Sequence, residues 1–359
     1  MISSANGPNV ATDSEAFFQS DRDIILSEQK KKKQTELGKV GNPIKFPSKI
    51  LHFDIADNTI YTAQSGFIAQ ALAFPSEAEL AEVKDVKNTD TAVYQGHKGP
   101  VTFACIAPPY LFTSSWDKTV KQWDLDTQEL LKTFTEHLDF VKCVKLYDKK
   151  LYTCSTDKTI ICWDLEGNVL GKFIGHTRAV EDLVIYDGFL YSCSSDTTIK
   201  KWDLSTFQEV FTFNGHLTSV YGLHIAEDSL WSVSGDKFAI GWDLETGNIS
   251  AKLEHPDYVK SIVILPNGLV ATGCRDENIR IWDPATEKVL HILSAHYDEV
   301  SCLKVYKGYL VSSSLDGTLR FWDLKATLSG KPIESREEQA VKESLLTAEE
   351  EAELAELLD

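Results

Sequence analysis

The sequence predicts an all-β fold, a propeller of seven four-stranded blades with short helical extensions at its N- and C-terminal ends. A Trp-Asp pair recurs every 39 or 40 residues, and short runs rich in β-branched and aromatic residues fill each interval. A repeat of this length is one supersecondary unit that stacks on the next. Four short strands per unit, separated by turn residues, are typical of a propeller blade. The repeated tryptophans are Trp123, Trp163, Trp202, Trp242, Trp282 and Trp322.

Each repeat also carries polar residues at fixed distances from its tryptophan. An aspartate lies six residues before the tryptophan, and a Ser or Thr lies four residues before the aspartate. A histidine lies 20 residues before the aspartate, or 21 in one repeat. The aspartates are Asp117, Asp157, Asp196, Asp236, Asp276 and Asp316. The hydroxyl residues are Thr113, Thr153, Ser192, Ser232, Thr272 and Ser312, and the histidines are His97, His137, His176, His216, His255 and His296.

This spacing from histidine to Trp-Asp resembles the signature of the WD-repeat family. Three of the histidines follow a glycine, and the six repeats cover roughly residues 92–324. The resemblance implies that the four marked residues of a repeat form one buried hydrogen-bonded chain, for example His137, Thr153, Asp157 and Trp163. Because the set occurs six times and an active site occurs once, we interpret it as structural and not as a catalytic triad.

A degenerate first blade is predicted before the six repeats, at about residues 44–95. Residues 59–65 resemble a second strand and residues 67–71 a third strand. Ala71 is placed at the tryptophan position, and Gly66 stands at the aspartate position. Since this blade lacks the polar set, we expect it to be the weakest of the seven.

Closure of the ring requires one strand from the other end of the chain, because an open ring would leave sheet edges exposed. Residues 36–41 resemble the outer strand 169–175, so the N-terminal segment is predicted to complete the last blade. Residues 328–334 are the alternative. The predicted domains are therefore an N-terminal extension (1–35), the propeller (36–330) and a C-terminal segment (331–359).

Both extensions are predicted to be partly helical. The N-terminal extension has a capping box at 12–15 and a four-lysine run at 30–33, interpreted as a solvated helix end or as a nuclear-import signal. The C-terminal segment holds ten acidic residues against three basic ones and predicts a short amphipathic helix. We expect its apolar face to bind a partner, with docking on the propeller or fraying as alternatives. That face consists of Leu354, Leu357 and Leu358.

The resemblance implies that partners bind the narrower, top face of the propeller. The loop before each first strand and the turn between the second and third strands lie there. Two clusters at these positions combine aromatic and basic side chains, which include the residue types enriched at binding hot spots. We expect this face to bind a short acidic or phosphorylated protein segment, although Trp116 has packing against a neighbouring loop as an alternative. The first cluster is Trp116, Phe140 and Lys142, and the second is Tyr221, Tyr258, Lys260 and Arg275.

Motifs and charge exclude several classes of function. The sequence has no phosphate-binding loop, nucleophile elbow or zinc-protease motif, so it predicts no enzyme, no cofactor and no metal site. A net charge of −18 disfavours nucleic acid as a direct ligand. The sequence contains no run of about 18 apolar residues, so it predicts no membrane span. Seven cysteines in strand-like runs indicate buried reduced thiols in the cytoplasm or nucleus.

These observations predict a non-catalytic interaction scaffold or adaptor, a monomeric propeller inside a complex of different proteins. A ribosome-assembly or RNA-associated nuclear factor is the alternative, which the lysine run permits and the overall acidity disfavours. A ubiquitin-ligase substrate receptor is less favoured. Such receptors often carry an arginine two residues after the repeated aspartate of Trp-Asp, and none of these six repeats does.

Overall fold

The computed structural model of the protein describes residues 28, 31–33, 35, 38, 40–76, 79, 84–85, 91–226 and 229–330. The capping box predicted at 12–15 and the leucine face Leu354, Leu357 and Leu358 lie outside these residues. Helical conformation is assigned at residues 28, 31–33 and 35. Of the lysine run, Lys31 and Lys32 are exposed, and the Nζ of Lys33 forms an ion pair with Glu277 of the propeller.

Within the described residues the chain forms seven sheets, which are the blades of a propeller. In chain order the strands are β1 (Ile44–Lys45), β2 (Ile50–Ala56), β3 (Thr59–Gln64), β4 (Ile68–Ala73), β5 (Lys84–Asp85), β6 (Ala92–Gln95), β7 (Val101–Ala107), β8 (Tyr110–Ser115), β9 (Val120–Asp124), β10 (Leu130–Phe134), β11 (Val141–Tyr147), β12 (Lys150–Ser155), β13 (Thr159–Trp163), β14 (Val169–Ile174), β15 (Val180–Tyr186), β16 (Phe189–Ser194), β17 (Thr198–Asp203), β18 (Glu209–Asn214), β19 (Val220–Ala226), β20 (Ser229–Ser234), β21 (Phe238–Asp243), β22 (Ile249–Glu254), β23 (Val259–Ile264), β24 (Val270–Cys274), β25 (Asn278–Asp283), β26 (Lys288–Ser294), β27 (Val300–Tyr306), β28 (Tyr309–Ser314) and β29 (Thr318–Asp323). A short helix, α1 (Leu324–Ser329), follows the last strand.

The order of strands within the sheets is that of a propeller, with consecutive strands side by side. Blade 1 is β2-β3-β4-β6, and blades 2 to 6 each contain the next four strands in sequence. Blade 7 is β27-β28-β29 extended by β1 and β5 from the N-terminal part of the chain. Among the turns that the structure describes, those joining the first two strands of four blades have two residues with positive φ at both positions, for example Asp148 (46°) and Lys149 (58°). Such turns match the twist of the paired strands and fix their register.

Aromatic contacts between neighbouring blades build much of the core. In blades 2 to 5 the tryptophan packs edge-on against an aromatic ring in the outer strand of the preceding blade. Trp163 lies 5.5 Å from Phe134, and Trp202 lies 5.8 Å from Phe173, as distances between ring centroids. The repeated tryptophan therefore stabilises the junction between blades as well as its own sheet.

The N-terminal segment closes the ring, as predicted, but in a different register. Ile44 pairs with Leu319, and the Phe321 amide donates a hydrogen bond of 2.7 Å to the Gly41 carbonyl. The closing segment is thus residues 41–46 and not 36–41. Burial decides the register, because Ile44 is 4% exposed and enters an apolar cluster with Leu319 and Phe321, whereas Val40 is 40% exposed.

One further expectation about the ends of the ring was wrong. The first blade begins at Ile50 and not at 44, because β1 belongs to blade 7. Of the alternative closing segment, 328–334, Leu328 and Ser329 belong to α1, and residues 331–334 lie outside the described residues. The Asp323 side chain caps this helix by accepting hydrogen bonds from the amides of the second and third residues after it.

Register also corrects the tryptophan position of blade 1. In blade 2, Leu111 of the second strand pairs with Trp123. In blade 1, the equivalent Ile60 pairs with Leu72. Leu72, and not Ala71, therefore occupies the tryptophan position of the degenerate blade.

The closing segment gives the first testable prediction. Ile44→Ala should lower the free energy of unfolding by about 2–5 kcal/mol, because it removes a buried side chain that joins both ends of the chain. Urea-induced unfolding of the full chain measures this loss. Val40→Ala is the control on the same segment, and its exposed side chain should change stability by no more than about 0.5 kcal/mol. Equal losses in the two variants would contradict closure by residues 41–46.

Candidate functional site

The predicted polar networks are present in blades 2, 3, 4, 5 and 7. Histidine Nδ1 lies 2.8–3.0 Å from an aspartate Oδ2, and Nε2 lies 2.7–2.8 Å from the hydroxyl oxygen of the second strand. The tryptophan Nε1 donates to the same hydroxyl at 2.8–3.0 Å. These contacts confirm the predicted chain of residues in five of the six repeats.

The protons available on each group determine the direction of the hydrogen bonds in a network such as that of blade 3. The Thr153 hydroxyl accepts from Trp163 Nε1 and has one proton of its own to donate. The ionised Asp157 carboxylate can only accept, so Nδ1 of His137 carries a proton, and in the neutral ring Nε2 accepts from Thr153. Burial raises the pKa of Asp157, but hydrogen bonds from His137 and Thr159 outweigh this effect and hold it well below its ordinary value. Each of these polar groups therefore has a hydrogen-bond partner inside the blade.

Blade 6 departs from the pattern, and Asp276 is not part of its network. His255 and Trp282 both contact Thr272, at 2.8 and 2.9 Å. Nδ1 of His255, however, faces the Leu253 carbonyl at 3.1 Å. In the five regular blades the residue after the histidine donates its amide to the aspartate, and here that residue is a proline without an amide hydrogen. Asp276 is paired with Arg280 instead.

Blade 1 contains a polar network built from other residues. Gln64 Nε2 donates to Thr62 Oγ1 at 2.8 Å and to Gln70 Oε1 at 2.6 Å. Its Oε1 accepts from the Ser48 hydroxyl at 2.7 Å. Thr62, Gln64 and Gln70 are fully buried, so the degenerate blade satisfies its interior polar groups without histidine, aspartate or tryptophan.

A set of backbone hydrogen bonds defines the top face. In each of blades 2–7, the amide of the residue just before the repeated aspartate donates to a carbonyl in the loop that precedes the first strand. Examples are Trp116 to Pro100 and Arg275 to Tyr258, both at 3.0 Å. These bonds place the turn between the second and third strands beside the loop from the previous blade. Both predicted clusters lie at this end of the ring.

The first cluster is divided by the structure into two parts. Trp116 stacks on Phe140 with centroids 5.1 Å apart and planes 17° apart, and the two residues are 44% and 37% exposed. Trp116 therefore packs against a neighbouring loop, as its alternative interpretation predicted, and still presents an aromatic surface to solvent. Lys142 is not part of this stack, because its Nζ forms an ion pair of 3.1 Å with Glu181.

The second cluster is held together by ring and cation contacts. Tyr221 and Tyr258 lie 5.8 Å apart, Lys260 Nζ lies 4.4 Å from the Tyr221 ring, and the Arg275 guanidinium lies 5.0 Å from the Tyr258 ring. The Tyr258 hydroxyl donates to Glu299 at 2.7 Å. Burial, followed by the hydrogen bond and negative charge of Glu299, raises the pKa of Tyr258. All four predicted residues thus share one cluster of alternating aromatic and cationic groups.

Sequence reasoning missed two apolar residues beside these clusters. Leu138 and Leu217 follow the histidines of blades 3 and 5 directly, and each is 80% exposed. Their amides bond to the network aspartates, which fixes the backbone and turns the side chains to solvent. An apolar residue directly after the repeated histidine is the signal that would have identified them.

A cavity of about 540 Å³ opens between the two clusters. It is lined by the first strands of the blades, and Trp116, Lys142, Tyr221 and Lys260 are among the residues that line it. Among the described residues no group of His, Cys, Asp or Glu could hold a metal ion. All seven cysteines are buried free thiols. No helix in the described part of the chain is long and apolar enough to cross a membrane.

The fold and its repeated networks define the class of protein: a closed seven-bladed propeller that presents one loop-rich face around a central channel. The chain belongs to the WD-repeat family. It is 33% identical to an uncharacterized WD repeat-containing protein of Schizosaccharomyces pombe, in an alignment that covers 96% of this chain and 98% of that protein. The family described as WD domain, G-beta repeat matches residues 247–283 and 287–323, and the family described as IP5P C-F beta-propeller matches residues 82–202.

Other similarities cover shorter segments or the fold alone. Mitochondrial division protein 1 of Schizosaccharomyces pombe is 34% identical over 22% of this chain and 12% of its own length. The crystal structure of the WD40 β-propeller domain of Doa1 superposes with a TM-score of 0.66 at 19% identity, covering 77% of this chain and 93% of that chain. At this identity the superposition supports the fold and carries no statement about function.

The network of blade 3 gives the second prediction. Thr153→Val should lower the free energy of unfolding by about 1–3 kcal/mol, because Trp163 Nε1 and His137 both lose their shared buried partner. Thr156→Val is the matched control in the following turn. The Thr156 hydroxyl is buried without a hydrogen-bond partner among the described residues, so its removal should be neutral or stabilising. Comparable losses in urea unfolding would contradict the role given to Thr153.

Blade 6 gives the third prediction, a dependence of stability on pH. Burial, and then the positive charge of Arg280, lower the pKa of His255 from 6.5 to about 4. Between these values the unfolded chain binds a proton that the folded chain does not, so stability falls as the pH drops through this window. Urea unfolding at about pH 7 and about pH 5 should show a smaller loss for His255→Gln than for the original chain. An identical loss in both proteins would contradict the assignment.

Proposed function

We propose that this protein is a non-catalytic interaction scaffold whose top face binds a protein segment with an apolar or aromatic anchor next to an acidic or phosphorylated residue. The pair of exposed or half-buried aromatic and cationic clusters at one end of the ring carries this proposal. Aromatic residues and arginine are enriched at the centres of protein interfaces, where they supply large contact areas at a low cost in conformational entropy. The satisfied polar networks of the blades provide the rigid support that such a site needs.

The apolar part of the partner would contact the first cluster. Trp116 and Phe140 expose one continuous stacked surface, and the highly exposed Leu138 lies two residues before Phe140. Apolar side chains of this kind gain free energy when a partner removes them from water, at about 25 cal/mol per Å². Leu217 provides a second exposed apolar group on the same face, in blade 5.

The acidic part of the partner would contact Lys260 and Arg275. Both cations lie over tyrosine rings, and neither forms an ion pair with a carboxylate of the described residues. Lys142 is a weaker candidate, because Glu181 already neutralises it. An arginine held over a ring is well placed to bind a carboxylate or phosphate with two parallel hydrogen bonds.

The free thiols and the C-terminal segment support two further parts of the proposal, the cellular compartment and a second contact for a partner. Seven buried free cysteines fit a reducing compartment, and we propose that the protein acts in the cytoplasm or nucleus as a single propeller within a hetero-complex. Leu354, Leu357 and Leu358 are proposed as a second contact for a partner, independent of the top face.

Capture of partners by the immobilised full chain tests the top face and provides the fourth prediction. Trp116→Ala/Phe140→Ala should reduce recovery of bound proteins by roughly tenfold or more, as expected for hot-spot residues. Lys260→Glu/Arg275→Glu should release those partners that bind through an acidic segment. Quantitative mass spectrometry of the recovered proteins measures both effects.

The control for this experiment is Leu131→Ala on the outer strand of blade 2, where the side chain is exposed to a similar degree as Trp116 but lies away from the top face. It should retain all partners. A chain without residues 331–359 tests the leucine contact separately. Full recovery of every partner by both top-face variants would refute the proposed interface.

A further inference from the structure

The central channel contains a layer of charged side chains that the interaction scaffold does not use. One residue on the first strand of each blade is paired with the residue that directly precedes the network hydroxyl on the second strand. This pairing identifies the equivalent position in every blade. In blade 3, for example, Lys145 is paired with Tyr152, which precedes Thr153. The acidic, basic and histidine residues at this position are Asp54, Lys145, His224 and Lys304.

Positive charge exceeds negative charge in this layer. Lys304 Nζ forms an ion pair of 3.0 Å with Asp54. Lys145 lies 4.5 Å from the centroid of the Phe103 ring, and no carboxylate of the described residues is within ion-pair distance of it. The remaining contacts of Asp54 are to the backbone, since it accepts amide hydrogen bonds from Ile55 and Ile106. Lys145 is therefore a cation with an aromatic neighbour and no carboxylate in direct contact. Burial lowers the pKa of Lys145, but nearby acidic groups, among them Asp182 and Asp54, outweigh burial and raise it.

Asp182, an acidic residue next to this layer, also accepts hydrogen bonds from backbone amides. Asp182 accepts hydrogen bonds from its neighbour Leu183 at 2.8 Å and from Leu223 of the adjacent blade at 3.1 Å. Such bonds tie the first strands of blades 4 and 5 together, as Asp54 ties those of blades 1 and 2. The two carboxylates thus tie neighbouring blades together.

Two histidines of the channel lie close enough to both lysines to be affected by their charge. Burial, and then the charges of Lys304 and Lys145, lower the pKa of His224 to about 4. The same three causes, in the same order, lower the pKa of His52. Both lysines therefore act on histidines of blades 1 and 5, which means that their fields overlap in the middle of the channel.

The walls of the channel suit a small organic molecule. His52 stacks on Phe103 with centroids 3.5 Å apart and planes 18° apart, and apolar Val184 and Val263 occupy the layer of Lys145. The cavity of about 540 Å³ is within the range of small-molecule sites, which combine apolar walls with a few convergent polar groups.

We propose that the channel binds a small phosphate-bearing molecule, with the phosphate group between Lys145 and Lys304 and the organic part against the Phe103 wall. One tetrahedral dianion can accept hydrogen bonds from both ammonium groups and compensate the positive charge of Lys145. The neutral His224 can donate a further hydrogen bond to the same group. This site lies below the top face and uses none of the residues proposed to bind the partner segment.

Isothermal titration of the full chain with phenyl phosphate, inorganic phosphate and benzoate at constant ionic strength tests this proposal. Phenyl phosphate should bind at one site, and benzoate should bind more weakly because it carries one negative charge. Tighter binding of phenyl phosphate than of inorganic phosphate would identify a phosphate ester as the ligand class, and equal binding would identify free phosphate. No saturable binding of either phosphate, or stronger binding of benzoate, would overturn the site.

Two variants place the binding in the channel. Lys145→Met should weaken binding of phenyl phosphate by about tenfold or more. Asp54→Asn/Lys304→Met should do the same, and it removes both charges of the ion pair so that neither is left buried alone. Lys252→Met is the matched control, because Lys252 also lies over an aromatic ring, 4.1 Å from Phe238, but on an outer strand. Unchanged affinity in both channel variants, with folding verified by circular dichroism, would overturn the proposal.

Discussion

One buried carboxylate per regular blade holds the top face in place. Its Oδ2 accepts from the histidine ring and from the amide of the next residue, as Asp157 does with His137 and Leu138. This links the turn between the second and third strands to the loop from the previous blade. Because an ionised group that lost these partners would remain partly buried, the two loops cannot separate without a substantial cost in free energy. The side chains that face solvent from these loops therefore have fixed positions, which is the property that a binding surface requires.

The features that recur in every repeat could be predicted from the sequence. The predictions were wrong where a single residue or a chain end departs from the repeat. Six copies spaced by 39 or 40 residues determine six of the seven blades, and the resemblance to WD repeats supplied the network in five of them. Asp276 was assigned wrongly to the network because its spacing from Trp282 is that of the other repeats. The residue that decides the outcome is Pro256, which has no amide hydrogen to donate to the aspartate. The closing strand was misplaced because a short likeness between 36–41 and 169–175 outweighed the stronger physical signal, the alternation that buries Ile44 and Phe46.

The channel layer was missed for a different reason. Lys145, His224 and Lys304 each lie eight residues after a repeated histidine, so the signal was present in the spacing. Single strands, however, do not reveal that seven of them converge on one axis, and a lone lysine in a strand is ordinarily a solvated residue. Only closure of the ring brings residues from blades 1, 3, 5 and 7 to one level. The two top-face clusters were easier to predict, because their residues are neighbours in adjacent blades.

The geometry of the first strands separates the two proposed sites by depth. On β11, Lys142 lies at the rim beside Glu181, and Lys145 lies three residues further along the strand, which is about 10 Å at the usual rise per residue. A phosphate bound by Lys145 thus leaves the Trp116 and Phe140 surface open. A ligand with an organic part long enough to cross that distance would reach Tyr221 and Lys260, which line the same cavity at its top. The length of the molecule in the channel therefore determines whether it competes with the partner segment or lies beneath it.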